Sequence, residues 1–304
     1  MKPKRTPLTI GQEVMIAWSR VYTTMAMSMV TMLRDDGPST IETFSYGDHA
    51  DEQLDVMTPI DGTTKTAVLF IHGGGWTMGH KEFYRADLNP ICKAGHCVIN
   101  VEYPKAPDHP HPHILKSIFK ALRWCKHHQG IDQLHLIGDS AGGNLAIMSG
   151  LFWANPKLQK VLDDDGLNND EASRDIPDVV SVSSLYGILD RQSCRDEMFA
   201  GGEAMLAAYG GQTVLAETVD VDHAITPMDL SFDQHPRCFL AIGSDDVLLQ
   251  SSKDYYQRLL KAGHDVALTV YKGATHGFLS WPQNSQRDEL IRNIVTFLES
   301  AEPG

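Results

Sequence analysis

A chain of 304 residues with 42% hydrophobic and 21% charged side chains can bury a large core, and no stretch has the low-hydrophobicity, high-charge composition of disorder. Its formal net charge of -13 argues against nucleic acid or an anionic membrane as the main partner, because the summed field repels both. The five cysteines, Cys92, Cys97, Cys125, Cys194 and Cys238, are odd in number and mostly set in apolar runs. That usage implies reduced, buried thiols in the cytoplasm rather than a disulfide framework.

Lys2, Lys4 and Arg5 stand near the start, but Gln12 and Glu13 interrupt the apolar run that a signal peptide would need. Residues 14–33 are apolar, yet Ser19 and Arg20 within them argue against a membrane span. Val14, Trp18, Val21, Tyr22, Met25, Met29 and Met32 recur at helical spacing and predict an amphipathic helix. Such a helix either packs on the body or forms part of a lid, where methionines adapt to varied ligands. A turn-rich break at 35–39 ends it. Strands are expected at 41–46 and 54–58, then at Ala67–Ile71, an unbroken apolar run of the kind buried on both sheet faces. A helix over 83–94, a strand at 97–101, a helix over 114–127, a strand at 134–137, a helix over Ala141–Ala154 and a strand at 179–185 follow. The rhythm falters between 186 and 235, which reads as an insertion. It resumes with a strand at 238–242, a helix over 249–262, the strand Val266–Tyr271 and a helix over 286–299. Strands alternating with helices predict an α/β fold with a mostly parallel central sheet covered on both faces.

Gly138-Asp139-Ser140-Ala141-Gly142 fits G-x-S-x-G, and it lies between an expected strand and an expected helix. That setting forces a serine into a sharp, exposed turn, with flanking glycines where no side chain fits. The competing reading is a glycine-rich helix start capped by Ser140. A serine nucleophile needs a base, and the chain holds 14 histidines. In open α/β sheets ligands gather beyond the carboxyl ends of the strands. His264 precedes the strand Val266–Tyr271, whereas His276 follows it, so His276 is the expected base. By the same filter Gly243-Ser244-Asp245-Asp246 supplies two acids after the strand at 238–242. One should accept the imidazole N–H, leaving the other to cap the next helix. The chain order serine, acid, histidine suits an α/β hydrolase. Acyl transfer also needs donors for the developing oxyanion. His72-Gly73-Gly74-Gly75-Trp76 follows Ala67–Ile71 and offers backbone N–H groups free of side chains, and Ala141 N–H at the next helix start completes the set.

The two glycine blocks together, His72 to Trp76 and Gly138-Asp139-Ser140-Ala141-Gly142-Gly143-Asn144, resemble those of the hormone-sensitive-lipase-like carboxylesterases, from about residue 40 onward. The resemblance implies the α/β-hydrolase fold with a helical cap, hydrolysis of short-chain acyl esters through an acyl-enzyme, and no cofactor. It divides the chain into amino-terminal cap helices at 1–40, a catalytic domain at 41–186 and 236–304, and a cap insertion at 187–235. It favours Asp246 over Asp245, because one residue and then Leu248 follow, and it assigns the oxyanion donors to Gly74 and Gly75. The chain departs from the family at Tyr103-Pro104-Lys105-Ala106-Pro107-Asp108, where relatives carry an arginine after the tyrosine, so that residue's ion pair is absent or replaced. His109, His111 and His113 alternate with prolines and lack a cysteine or carboxylate cluster, so no metal site is expected there.

Trp76, Val247 and Phe278 adjoin the catalytic positions and are candidate pocket residues; Met198, Met205, Leu206 and Tyr209 are candidate lid contacts. The expected partner is a small-molecule ester, without nucleic acid or stable membrane insertion, and a homodimer is open. Two rival readings are an arylformamidase resembling kynurenine formamidase and a small-molecule-binding member of the fold that has lost catalysis. Asp139 with the doubled Gly142-Gly143 favours the esterase over the first, and the presence of His276 argues against the second.

Overall fold

The computed structural model describes residues 7–32, 39–60, 66–154, 175–196, 201–216, 224–281 and 285–300. Eight strands form one sheet: β1 (Thr40–Ser45), β2 (Gln53–Thr58), β3 (Ala67–Ile71), β4 (Val98–Val101), β5 (Gln133–Asp139), β6 (Asp178–Leu185), β7 (Arg237–Gly243) and β8 (Val266–Tyr271). Their order is β1-β2-β4-β3-β5-β6-β7-β8. The β1–β2 and β2–β4 pairs are antiparallel and all others parallel. β3 and β4 are buried along their whole length, as expected of strands covered on both faces.

The helices are α1 (Ile10–Met32), α2 (Arg85–Lys93), α3 (His113–Gln129), α4 (Ala141–Ala154), α5 (Arg191–Asp196), α6 (Gly202–Gly210), α7 (Leu249–Lys261) and α8 (Ser285–Glu299). Residues 141 to 152 of α4 are all buried. A helix apolar all round belongs in the centre of a core, and α4 packs there against β5 and β6. Gly130, at φ 62°, ends α3 by returning its N–H to the Cys125 carbonyl, a left-handed glycine stop. The five cysteines are free and buried. No helix among the described residues is long and apolar enough to cross a membrane.

α1 forms where the spacing predicts it, but its apolar stripe does not face the body. Val14, Trp18, Val21, Tyr22, Met25 and Met29 are each 60% or more exposed, while Ile16 and Ser19 are buried. The helix is pinned by polar contacts instead. Arg20 donates from Nε to the Thr77 carbonyl and from Nη2 to the Ala106 carbonyl, both at 2.7 Å. Gln212, just after α6, donates to Gln12 at 2.7 Å. Replacing Arg20 by Met should therefore loosen α1 selectively. Each hydrogen bond from a charged donor is worth ~1.5–3 kcal/mol, so R20M should speed limited proteolysis within residues 10–32 while leaving amide exchange of β3 to β7 unchanged.

Candidate active site

Ser140 sits in the turn between β5 and α4 at φ 51°, one of three described non-glycine residues with positive φ; the others are Trp76 and Tyr186. The left-handed region is costly for such residues and persists only where surroundings enforce it. Here the Ser140 N–H donates to the Leu185 carbonyl at 2.8 Å and Tyr186 N–H to the Ala241 carbonyl at 2.6 Å. The glycines of the motif leave no alternative. A Cβ on Gly138 would stand 2.2 Å from the Gly142 carbonyl oxygen, and one on Gly142 would stand 2.0 Å from that of Ile71.

Ser140 Oγ lies 2.9 Å from His276 Nε2, and His276 Nδ1 lies 3.0 Å from Asp246 Oδ2. The Asp246 side chain is fully buried and the imidazole is partly open. The other Asp246 oxygen accepts the Leu248 N–H at 2.9 Å, which fixes the carboxylate before α7 begins. Asp245 does not cap that helix. It is exposed and takes a hydrogen bond from the Ser244 hydroxyl at 2.7 Å. The loops after β7 and β8 interlock closely: a Cβ on Gly243 would meet the Ala274 carbonyl oxygen at 2.0 Å, and Asp245 N–H donates to that carbonyl at 3.0 Å.

The loop after β3 lies against the same turn. Gly74 and Gly75 have φ of 112° and 57°. The loop's own hydrogen bonds run from Thr77 and Met78 N–H to the Gly74 carbonyl. Gly73 N–H donates to Asp139 Oδ1 at 2.6 Å, so the residue before Ser140 holds the loop in place. Tyr84 donates to Asp139 Oδ2 at 3.1 Å and Tyr186 approaches the same oxygen at 3.5 Å. Burial pushes the Asp139 carboxyl up to about 6, with Gly73 N–H and the His72 charge pulling the other way. Burial and the Asp139 charge raise both phenols, which keeps them neutral donors. Tyr186 also meets the His276 ring edge-on at 5.1 Å.

Behind the loop, both ring nitrogens of buried His72 face acceptors: Nδ1 the Gly73 carbonyl at 2.7 Å and Nε2 Glu102 at 3.1 Å. Against the upward push of burial, His72, His80 and Lys105 hold the Glu102 carboxyl well below the usual range. Lys105 pairs directly with Glu102. An ion pair is therefore made in this segment by Lys105, two positions after Tyr103. The neighbouring histidines diverge: His111 is buried against Tyr209, His113 bonds the Pro110 carbonyl, and His109 packs on His49. Among the described residues, His80, Glu82 and Glu102 lie close enough to share an ion, but Lys81 and Lys105 already neutralise the two carboxylates.

Ala141 is buried at the first position of α4. Trp76 is fully buried and stacks on Tyr209 at 4.6 Å. Phe278 is buried between Tyr186 and Tyr271, and Val247 is 45% exposed. Met205 and Leu206 are buried in α6; a Cβ on Gly75 would stand 2.3 Å from the Met205 sulfur. Met198 lies outside the described residues. The roles of Asp139 as loop anchor and of Tyr186 beside the imidazole were not read from the sequence. The first had a visible signal, an acid inside the serine motif, but its partner is 66 residues away.

The family model described as alpha/beta hydrolase fold matches residues 68–280. The chain belongs to that family, in its hormone-sensitive-lipase-like branch. Lipase 2 of Moraxella sp. is 26% identical over 244 residues, covering 72% of this chain and 55% of its own, so this chain spans about half of that relative. Gibberellin receptor GID1A of Arabidopsis thaliana is 23% identical, covering 81% of this chain and 72% of its own. Among solved structures, a phosphonate-inhibited esterase B from Lactobacillus rhamnosis superposes with a TM-score of 0.81 at 19% identity, covering 97% of this chain and 96% of that one.

Asp139→Asn tests the electrostatics of this centre. An aspartate whose folded pKa of about 6 lies above its unfolded value of ~3.9 favours folding in its protonated form, so its charge costs stability at neutral pH. The variant should be more stable than the parent above pH 6, on the order of 2–3 kcal/mol, and the gain should vanish as pH falls from about 6 to about 4. Thermal unfolding across that range checks it. The same variant should lose about tenfold in turnover, because Gly73 N–H then bonds a neutral acceptor.

Proposed function

We propose that this protein is a serine carboxylesterase that hydrolyses short-chain acyl esters. The observation that carries the reading is the continuous hydrogen-bond chain from Ser140 through His276 to Asp246, set beside a glycine loop anchored to the same turn. Ser140 Oγ attacks the ester carbonyl while His276 Nε2 takes its proton. Asp246 holds Nδ1–H and stabilises the imidazolium. Gly74, Gly75 and Ala141 N–H receive the oxyanion, and His276 returns the proton to the leaving alcohol. Water then attacks the acyl-enzyme with His276 again as base. This route needs no cofactor.

The esterase and lipase names of relatives support the substrate class. The arylformamidase reading keeps the same machinery with an amide leaving group. A receptor-like role, as named for GID1A, has less support because the three-residue chain is intact. α1 and residues 187–235 are proposed as the cap, since both meet near the glycine loop: α1 through Arg20, the insertion through Met205 and Tyr209. Trp76, Val247 and Phe278 are proposed to shape the pocket around the acyl group. The cytoplasm is the proposed compartment; burial raises the thiols of Cys97, Cys125, Cys194 and Cys238, which favours their protonated form.

Purified protein should release p-nitrophenol from acetate and butyrate esters, faster than it cleaves N-formyl anilides. Ser140→Ala should lower turnover by ~10⁴-fold or more with unchanged thermal unfolding, and should no longer be labelled by a serine-directed phosphonate. Full activity or full labelling in that variant would sink the proposal.

A further inference from the structure

The outward face of α1 carries Ile10, Val14, Trp18, Val21, Met25 and Met29, each 60–80% exposed. Tyr22, 62% exposed, stacks on Trp18 at 5.4 Å. Successive spacings along this row are four, four, three, four and four residues, so each contact type recurs every eleven. An eleven-residue repeat gives 3.67 residues per turn, close to the 3.6 of a straight α-helix, so the row stays on one side of the helix from end to end. Such a patch, on the order of several hundred Å², is of the size at which exposed apolar surface marks an interaction site, and approaches the ~800 Å² each partner gives a standard interface.

The spacing is also symmetric about its midpoint. A twofold axis between Ser19 and Arg20 would bring Ile10 against Met29 of a second copy, Val14 against Met25, and Trp18 against Val21. Compact β-branched residues at one end then face long, adaptable methionines at the other, and the aromatic pair falls at the centre, where anchors concentrate. Isologous contacts require this self-complementarity. Charge permits it as well. α1 contains only Glu13 and Arg20 as charged residues, and Arg20 is committed inward to two carbonyls, so no like charges meet on the axis. A helix made to lie on lipid carries cations along its polar face, and α1 has none beyond that inward arginine.

We propose that the exposed face of α1 is a self-association surface, pairing antiparallel with α1 of a second copy across a twofold axis. The net charge of -13 per chain opposes approach over long range and is screened by salt, so pairing strengthens as salt rises. Because the opposite side of α1 is pinned near the glycine loop, pairing also holds this helix down on the body.

Sedimentation of the full chain over a concentration series tests this. The expected result is a species of twice the 33.7 kDa chain mass, tighter in high salt, with Val21→Glu and Trp18→Glu each weakening association at least tenfold and leaving thermal unfolding of the monomer unchanged. Mixed V14C and M25C proteins should be joined by a short bismaleimide, whereas V14C alone should not, its two copies lying about 16 Å apart along the helix axis. A monomer at every concentration, a dimer indifferent to V21E and W18E, or equal linking of V14C to itself each overturns the proposal. So does a monomer that binds phosphatidylcholine vesicles through the same residues, which would assign the face to a lipid surface.

Discussion

The site depends on a steric constraint: the turn carrying Ser140 is wedged against the end of β3 with no room for a β-carbon at Gly138 or Gly142. That contact sets the distance between the nucleophile and the loop that begins at His72, and backbone packing cannot relax as a side chain can. Strain collects there. The three described non-glycine residues with positive φ, Trp76, Ser140 and Tyr186, stand on three different loops: Ser140 and Tyr186 directly follow β5 and β6, and Trp76 lies in the glycine loop after β3. Strained conformations of this sort survive where neighbouring structure over-determines them, and the cross-strand hydrogen bonds to Leu185 and Ala241 do so here.

Electrostatics adds a second layer to that geometry. Asp139 is buried and so costs solvation energy as an anion, yet it receives the Gly73 N–H and a tyrosine hydroxyl. A buried polar group is tolerated when its hydrogen bonds are made. Its reward is registration: one side chain adjoining Ser140 holds the first glycine of the loop after β3. On the far side of that loop, Glu102 carries His72 and Lys105, so two carboxylates grip the loop from opposite directions. The loop is thereby held in one conformation beside Ser140, as preorganised hydrogen-bond donors require.

Much of this was legible in the sequence because the relevant signals are local. A strand followed by glycine, serine and glycine announces a turn, and the rule that ligands sit past the carboxyl ends of strands separates His276 from His264. Pairings between distant segments were not legible. Gly73 meets Asp139 only because β3 and β5 are neighbours, and Tyr186 meets His276 only because β6 lies next to β7 and so near β8. Periodicity likewise told that α1 has an apolar side and not which way it faces: its anchoring comes from Arg20, a residue that reads in sequence merely as an obstacle to a membrane span. The second acid, Asp245, shows the same limit, since a helix-capping role depends on a side-chain direction that letters do not specify.

The contacts between α6 and the glycine loop couple the position of that helix to the loop's backbone. Met205 touches the position where Gly75 would bear a side chain, and Tyr209 stacks on Trp76, the next residue. Any shift of α6 therefore pushes directly on the backbone of the glycine loop. Methionine is the side chain best able to absorb such a shift, having three rotatable bonds and a polarisable sulfur, whereas the flat Trp76–Tyr209 stack resists it. Give between α6 and the loop is thus concentrated at Met205, and the aromatic pair beside it keeps the loop from following.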